Sequence, residues 1–446
     1  MISHTQLEFI KNIKRKKNFI FYKKINKFAN DPVPYFMDTV DETKYSFLYE
    51  SVEKGKDKGR YTFCGYGALS IILNKKNNLY ITNGGKTKKI KKKKDILKQI
   101  NSIITKYKIS NKYNLPPMTS SFFGYLSYEN INNVEKIIKK RKLDKLQIPD
   151  CLLFIPETLI IYDNQKSTLY ITKTITKHLP QKKINYSNLI EKFEEIESNI
   201  KKKKNYEKIN LNKKTKILPK SNISKSKFIK NVNIAKQYIK NGDVFQVVPS
   251  HRFSAKFNST GKKLYQGLRI TNPSPFLYYF NLPSFNIVGS SPEILVRLRN
   301  NVITIRPIAG TRPRSKNKIK DQYFEKELLN DKKEISEHLM LLDLGRNDVG
   351  RVSKKGSVKV TSSFTIERYS HVMHIVSNVQ GIIKKNITPI DALMAGFPAG
   401  TVTGAPKIRA MEIIDELEDV KRGIYAGGIG YISHNGDMDT CIALRT

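Results

Sequence analysis

Apolar and polar residues alternate with a period of two in several short runs of the first 200 residues. SFLYES (46–51), GRYTFCGYGALSIIL (59–73), SSFFGYLSYE (120–129) and CLLFIPETLIIYD (151–163) are rich in the aromatic and β-branched residues that suit strands. Between them, ILKQINSIITKY (96–107) spaces its apolar residues three and four apart, which predicts a helix. Residues from about 198 to 226 lose this pattern and become lysine-rich and polar, as a linker or exposed excursion does. From about 227 the texture changes again, with Gly, Pro, Ser and Thr gathered into dense clusters between regular elements. FIKNVNIAKQYIK predicts a helix over about 227–240, and DVFQVVPSHRFSA a strand after it. A charged helix is expected over about 321–344, closed by Gly345. HVMHIVSNVQGII (371–383) reads as a strand and KIRAMEIIDELE (407–418) as a helix. GGIGYIS opens a strand pair that returns at MDTCIALRT. Strands and helices without strict βαβ alternation predict an α+β fold of largely antiparallel sheets packed with helices. Three regions follow: 1–200, a connector over 201–226, and 227–446.

The composition, 39% hydrophobic and 10% aromatic over 446 residues, is that of a folded chain long enough for a large core. No apolar run approaches the roughly 20 residues that span a bilayer, and the N-terminus shows no secretory h-region. Three cysteines, Cys64, Cys151 and Cys441, are too scattered for a disulfide framework or a zinc cluster. A soluble cytoplasmic protein is expected. The formal charge of +42 suggests nucleic acid, but its distribution argues against it. KTKKIKKKK (86–94), KKRK (139–142) and KKKK (201–204) are nearly pure lysine, with few interleaved aromatics and no nucleic-acid-binding motif. These runs read as solvated surface, with neither nucleic acid nor membrane as partner.

Some clusters exclude familiar chemistry. In FPAGTVTGAPK (397–407) the glycines are four apart and Lys407 comes three residues after the second, so it is no phosphate loop. GGIGY (427–431) lacks the dinucleotide register. The small residues before the 407–418 helix offer either a carboxylate site on exposed N–H groups or a plain tight turn. Taken singly, Glu337 on a packed helix, His374 on a strand face and Glu293 in GSSPE each fit a structural role as well as a chemical one.

Their order along the chain is more telling. GDVFQVVPS (242–250), NPSPF (272–276), GSSPE (289–293), PIAGTRPR (307–314), EHLMLLDLGRNDVGR (337–351), HVMHIVS (371–377), FPAGTVTGAPK and RGIYAGGIGY (422–431) follow one another. This set resembles the chorismate-utilising enzymes, and among them component I of anthranilate synthase. The resemblance is dense from about 227 onward and thinner before it. It implies a chorismate-binding fold that makes anthranilate and pyruvate from chorismate and ammonia, with Mg²⁺ as cofactor. By it, Glu337 is a magnesium ligand, and Gly310, Thr311, Tyr425 and Arg445 contact the substrate. Glu293 is the acid for the departing 4-hydroxyl, and His374 assists proton transfer. A site for two carboxylates suits such a set, since Mg²⁺ takes hard oxygen ligands and an arginine fork takes a carboxylate.

Two positions bear on the product. Sister enzymes that make aminodeoxychorismate carry a nucleophilic lysine where this chain has Ala309. Isochorismate and salicylate synthases carry a water-activating lysine where it has Gln246. Neither alanine nor glutamine does that chemistry, so ammonia is the expected nucleophile. A separate glutamine amidotransferase, component II, is implied as the ammonia source, in a heterotetramer. LYES (48–51) stands where the family has LLES, and with NPSPF it implies a tryptophan feedback site at Ser51, Pro275, Phe276 and Leu277. The family continues past CIALRT into a tail with a Gly-rich loop and a second magnesium glutamate. Weak Mg²⁺ binding and little activity are therefore expected of residues 1–446 alone. Alternatives are aminodeoxychorismate synthase component I and an inactive remnant.

Overall fold

The computed structural model describes residues 1–51, 59–76, 78–90, 95–109, 114–137, 142–177, 184–202, 206, 218–369 and 371–446. Two large antiparallel sheets lie face to face. The seven-stranded sheet runs in the order Phe19–Ile25, Thr168–Ile175, Thr158–Asp163, Tyr61–Tyr66, Ser46–Glu50, Phe276–Asn281, Asn286–Ser291. The twelve-stranded sheet has Ile294–Arg299, Met438–Ile442, Gly428–Ser433 and Ser121–Leu126 at its centre. Ile308–Pro313 lies at one end and Lys86–Ile90 at the other. Both sheets take strands from either side of the 201–226 connector: Ser46–Glu50 pairs with Phe276–Asn281, and Ser121–Leu126 with Gly428–Ser433.

The period-two pattern assigns each strand residue to a layer. Phe47, Phe63, Tyr278 and Phe280 point between the sheets, where they meet Phe123, Tyr125, Phe154 and Tyr431 of the long sheet. Their neighbours Leu48, Cys64, Leu277 and Tyr279 point outward under the helices Gln6–Lys14, Val33–Glu42, Tyr186–Lys201 and Gly261–Thr271. On the far face of the long sheet, Phe122, Leu126 and Leu153 pack beneath Ile96–Thr105, Lys332–Val352 and Pro389–Gly396. The result is four layers, helix–sheet–sheet–helix, and the expected α+β class holds. Close backbone approach makes glycine necessary at the centre of the long sheet. Gly124 has φ +150°, and a Cβ there would lie 1.9 Å from the Leu152 carbonyl oxygen.

Two elements differ from expectation. The helix foreseen over 321–344 is two helices, Lys318–Asn330 and Lys332–Val352. Asp331 separates them and caps the second by accepting from the amides of Lys333 and Glu334. Gly345 lies inside that second helix, where a Cβ would come within 3.1 Å of the Pro307 ring, so close packing and not termination accounts for it. DVFQVVPSHRFSA forms only the two-residue strands Gln246–Val247 and Phe253–Ser254. Each pairs with a similarly short partner, Gly404–Ala405 and Lys220–Ser221.

Lys86–Ile90 is an exposed edge strand, where lysines discourage further pairing. Lys142 is buried against Asp415 (Nζ–Oδ1 3.0 Å). Residues 91–94, 139–141, 203–205 and 207–217, which hold most of the remaining positions of the three lysine runs and most of the connector, lie outside the described residues. Among the described residues no helix is long and apolar enough to cross a membrane.

Phe47 is fully buried and stacks on Phe123 with centroids 4.2 Å apart. Phe47→Ala is expected to lower unfolding stability by about 3–5 kcal/mol, read from the midpoint of denaturant unfolding followed by circular dichroism.

Candidate active site

The chain passes from the seven-stranded sheet to the long sheet between Ser291 and Ile294, and Glu293 sits at this crossing. Its backbone is tied on both sides, its carbonyl accepting from Ile442 N at 3.1 Å. The carboxyl is buried, and Thr401 Oγ1 lies 3.3 Å from each of its oxygens. Burial pushes Glu293 up to about 8, with the Thr401 hydroxyl pulling the other way. At neutral pH this group is a protonated acid with a proton to give. Thr401 belongs to FPAGTVTGAPK, whose Gly400–Val402 turn follows the helix Pro389–Gly396.

The bracket RPIAGTRPR forms the strand Ile308–Pro313, paired with Val372–Ile382. The register shifts between Ala309 and Thr311, because Gly310 takes φ +70° and bulges. The bulge turns the Gly310 carbonyl and the Thr311 hydroxyl toward one atom, His374 Nδ1, at 2.9 and 3.0 Å. A carbonyl only accepts, so Nδ1 carries the proton in the neutral ring and Nε2 is the basic nitrogen. Burial lowers the His374 pKa, partly offset by the Gly310 carbonyl. The bracket's arginines anchor it: Arg314 grips Asp321 (Nε–Oδ1 2.9 Å), while Arg312 reaches Glu327, Asp331 and Glu334.

Glu337 stands on the Lys332–Val352 helix, and Gln246 Nε2 donates to its Oε1 at 3.1 Å. Gln246 is placed by its pairing opposite Ala405. Its own Oε1 is buried and has no hydrogen-bond partner among the described residues. Both residues line an open cavity of about 1300 Å³, with Asn347 and the buried pair Lys407–Asp348 (2.6 Å) also on its wall. The next residue, His338, turns inward to Ser377 (Nε2–Oγ 2.7 Å), and burial pushes its pKa down to about 4. That contact fixes the helix's rotation and leaves Glu337 facing the cavity.

Segment 397–407 joins these groups. It touches Glu293 through Thr401 and Gln246 through Ala405. It also meets the Lys332–Val352 helix at Gly400, where a Cβ would lie 2.2 Å from Leu344 Cδ2. Tyr425 is half-exposed, with its ring under the Arg422 guanidinium at 5.6 Å. Arg422 is in turn held by Glu418 and by the carbonyls of Val402 and Val248. Arg445 is exposed; its carbonyl accepts from Ser290 N, and its charge opposes protonation of His374. Thr401, Lys407, Asp348 and Arg422 were not singled out as site residues by sequence. Their signal was the density of FPAGTVTGAPK, LGRNDVGR and RGIYAGGIGY.

A second cavity, of about 440 Å³, opens between the sheets. Ser51, Pro275 and Phe276 line it beside Tyr49, Glu50 and Arg306. Leu277 does not join them: it points to the opposite face of its strand and is fully buried under the outer helices. Glu50 is held by Arg269 (Nε–Oε1 2.9 Å) and by the Tyr265 hydroxyl.

Residues 45–446 match the chorismate binding enzyme family. The chain belongs to the chorismate-binding enzymes. It is 43% identical over 413 residues to anthranilate synthase component 1 of Acetivibrio thermocellus, covering 91% of this chain and 83% of that one. Anthranilate synthase component I of Streptococcus pneumoniae has the same architecture, with TM-score 0.75 and 34% identity over 88% of this chain and 85% of that one. The menaquinone-specific isochorismate synthase of Escherichia coli shares the fold at TM-score 0.69 and 16% identity, over 99% and 89% of the two chains.

The raised Glu293 carboxyl makes a direct prediction. The folded state holds this proton more tightly than the unfolded chain, so its contribution to stability is lost as pH rises from about 4.5 to about 8. Carboxyl-labelled NMR should show one glutamate titrating near pH 8, missing in Glu293→Gln. In Thr401→Val, which removes the hydroxyl, its midpoint should move higher still.

Proposed function

We propose that this chain joins ammonia to chorismate and releases anthranilate, pyruvate and water. The observation that carries the reading is the buried, protonated Glu293 carboxyl, supported by the relatives named anthranilate synthase component 1. Ammonia adds to the ring carbon as the double bonds shift, and the 4-hydroxyl departs as water with the proton of Glu293. His374 Nε2 then accepts the ring proton, and the enolpyruvyl group, taking up a proton, leaves as pyruvate. Gln246 cannot deprotonate water, and Ala309 offers no nucleophile. Gly310 and Thr311 hold His374 and face the substrate with it, while Tyr425 and Arg445 offer a hydroxyl and a guanidinium fork for a carboxylate.

Magnesium fits this site on its donor chemistry. A Glu337 carboxylate on the cavity wall beside an orphaned amide oxygen supplies hard oxygen atoms, and Mg²⁺ commonly takes one or two carboxylates while keeping waters. Among the described residues no group of three or more His, Cys, Asp or Glu gathers to hold a metal. Glu337 would be the protein's ligand, and the ion would supply a Lewis-acid contact for a substrate carboxylate.

The ammonia would come from a glutamine amidotransferase partner. Cys64, Cys151 and Cys441 are all buried, and burial pushes each thiol up, away from the reactive thiolate. The inter-sheet cavity is proposed as a feedback site for tryptophan, with Ser51, Pro275 and Phe276 on its wall.

With chorismate, Mg²⁺ and ammonium, anthranilate fluorescence is expected to grow, slowly for residues 1–446 alone; chorismate consumption without anthranilate would overturn the reading. Glu293→Gln should lower the rate about 10²–10⁴-fold. At constant free ammonia the wild-type rate should fall as pH rises past about 8, where Glu293 loses its proton, and the variant should lack this limb. Millimolar tryptophan should slow the wild type, and an unchanged rate would remove the feedback proposal.

A further inference from the structure

Charged groups connect the inter-sheet cavity to His374. Arg306 lines the cavity, and its Nη2 is ion-paired with Glu367 Oε1. Glu367 stands directly opposite His374 in the pairing of Lys359–Arg368 with Val372–Ile382. Side chains at such positions share one face of the sheet, with Cβ atoms about 4.5–5.5 Å apart. The other Glu367 oxygen accepts from the Tyr369 hydroxyl at 3.0 Å, and the Tyr369 ring meets His374 edge-on, with centroids 5.4 Å apart. The cavity's other arginines are held elsewhere, Arg60 by Asp163 and both Arg297 and Arg299 by Asp439.

His374 is surrounded from three sides. Glu367 and Tyr369 face it from the neighbouring strand, the Gly310 carbonyl and Thr311 hydroxyl from the bracket, and Arg445 from the segment after Met438–Ile442. The helices on this strand meet its other face, at Met373 and Ile375. Burial disfavours the imidazolium most, the Gly310 carbonyl favours it, Arg445 opposes it and Glu367 favours it.

We propose that Glu367 is a positioning residue for His374, and that Arg306 makes its hold depend on the inter-sheet cavity: a ligand carboxylate bound there takes the Arg306 guanidinium and frees Glu367 to act on His374. This rests on the proposed reading of the cavity as a regulatory site. A guanidinium is shared between competing carboxylates because each offers it the same two-oxygen fork. Once its counter-cation is drawn away, Glu367 stabilises the His374 imidazolium, and a protonated histidine has no lone pair to accept the ring proton. The ligand then inhibits by electrostatics, without entering the chorismate cavity.

The test uses the full chain with ¹³C,¹⁵N-labelled histidine, the His374 signal being identified by its loss in His374→Gln. Because the chain contains no tryptophan residue, the fluorescence anisotropy of added tryptophan reports binding directly. In the wild type, saturating tryptophan should raise the His374 titration midpoint by about 0.5–1 pH unit. Glu367→Gln should lower the midpoint without ligand and abolish the shift, while anisotropy still rises. Arg306→Gln gives an independent arm, with the midpoint already raised in the free protein. Bound tryptophan that leaves the wild-type midpoint unmoved, or a full shift in Glu367→Gln, would overturn the inference alone. No anisotropy change in the wild type would overturn the reading of the cavity as a tryptophan site, and this inference with it.

Discussion

Two sheets share one aromatic layer, and the alternation that lets them do so governs the rest of the molecule. Phe47, Phe63, Tyr278 and Phe280 on one side interdigitate with Phe123, Phe154 and Tyr431 on the other, so no strand can shift by one residue without turning its rings into the helices. The register fixed in this way also places the chemistry. Glu293 lies where the chain leaves one sheet for the other, and its two neighbours, Pro292 and Ile294, line the inter-sheet cavity. A carboxyl buried at such a crossing is poorly hydrated, which disfavours its charged form and keeps it protonated at neutral pH.

The candidate site is held by contacts on its candidate residues or on their neighbours. His338 rotates a helix so that Glu337 faces outward, Arg312 and Arg314 clamp the bracket that presents Gly310 to His374, and Thr401 meets Glu293 from a turn pressed against Leu344. Polar groups buried this deeply are costly unless partnered. The Gln246 oxygen, without a partner among the described residues, lies on the wall of the open cavity.

Much of this was legible in the chain. Period-two runs located the strands, because one face of each is buried against aromatic rings and the other against helices. The ordered clusters singled out Glu293, Glu337 and His374 as candidates. What was not legible depended on contacts distant in sequence. Gly345 looks like a helix stop but is there to admit Pro307, and the short pairings of Gln246 and Phe253 have no periodicity to read. Leu277 follows Phe276 in the motif yet faces the other way, as strand geometry requires. Thr401 became visible only when its turn was seen against Glu293, more than a hundred residues earlier.

The interleaving of early and late strands also sets a timetable for biosynthesis. Ser46–Glu50 leaves the ribosome long before Phe276–Asn281, the strand that must lie beside it, and Ser121–Leu126 waits longer still for Gly428–Ser433. At roughly 5–20 residues per second, the rings of Phe47 and Phe123 stay without their full sandwich for tens of seconds while the remaining chain is translated. A nascent chain in that interval presents an aromatic strand face to its surroundings, so its safe passage falls to whatever shields it at the exit tunnel.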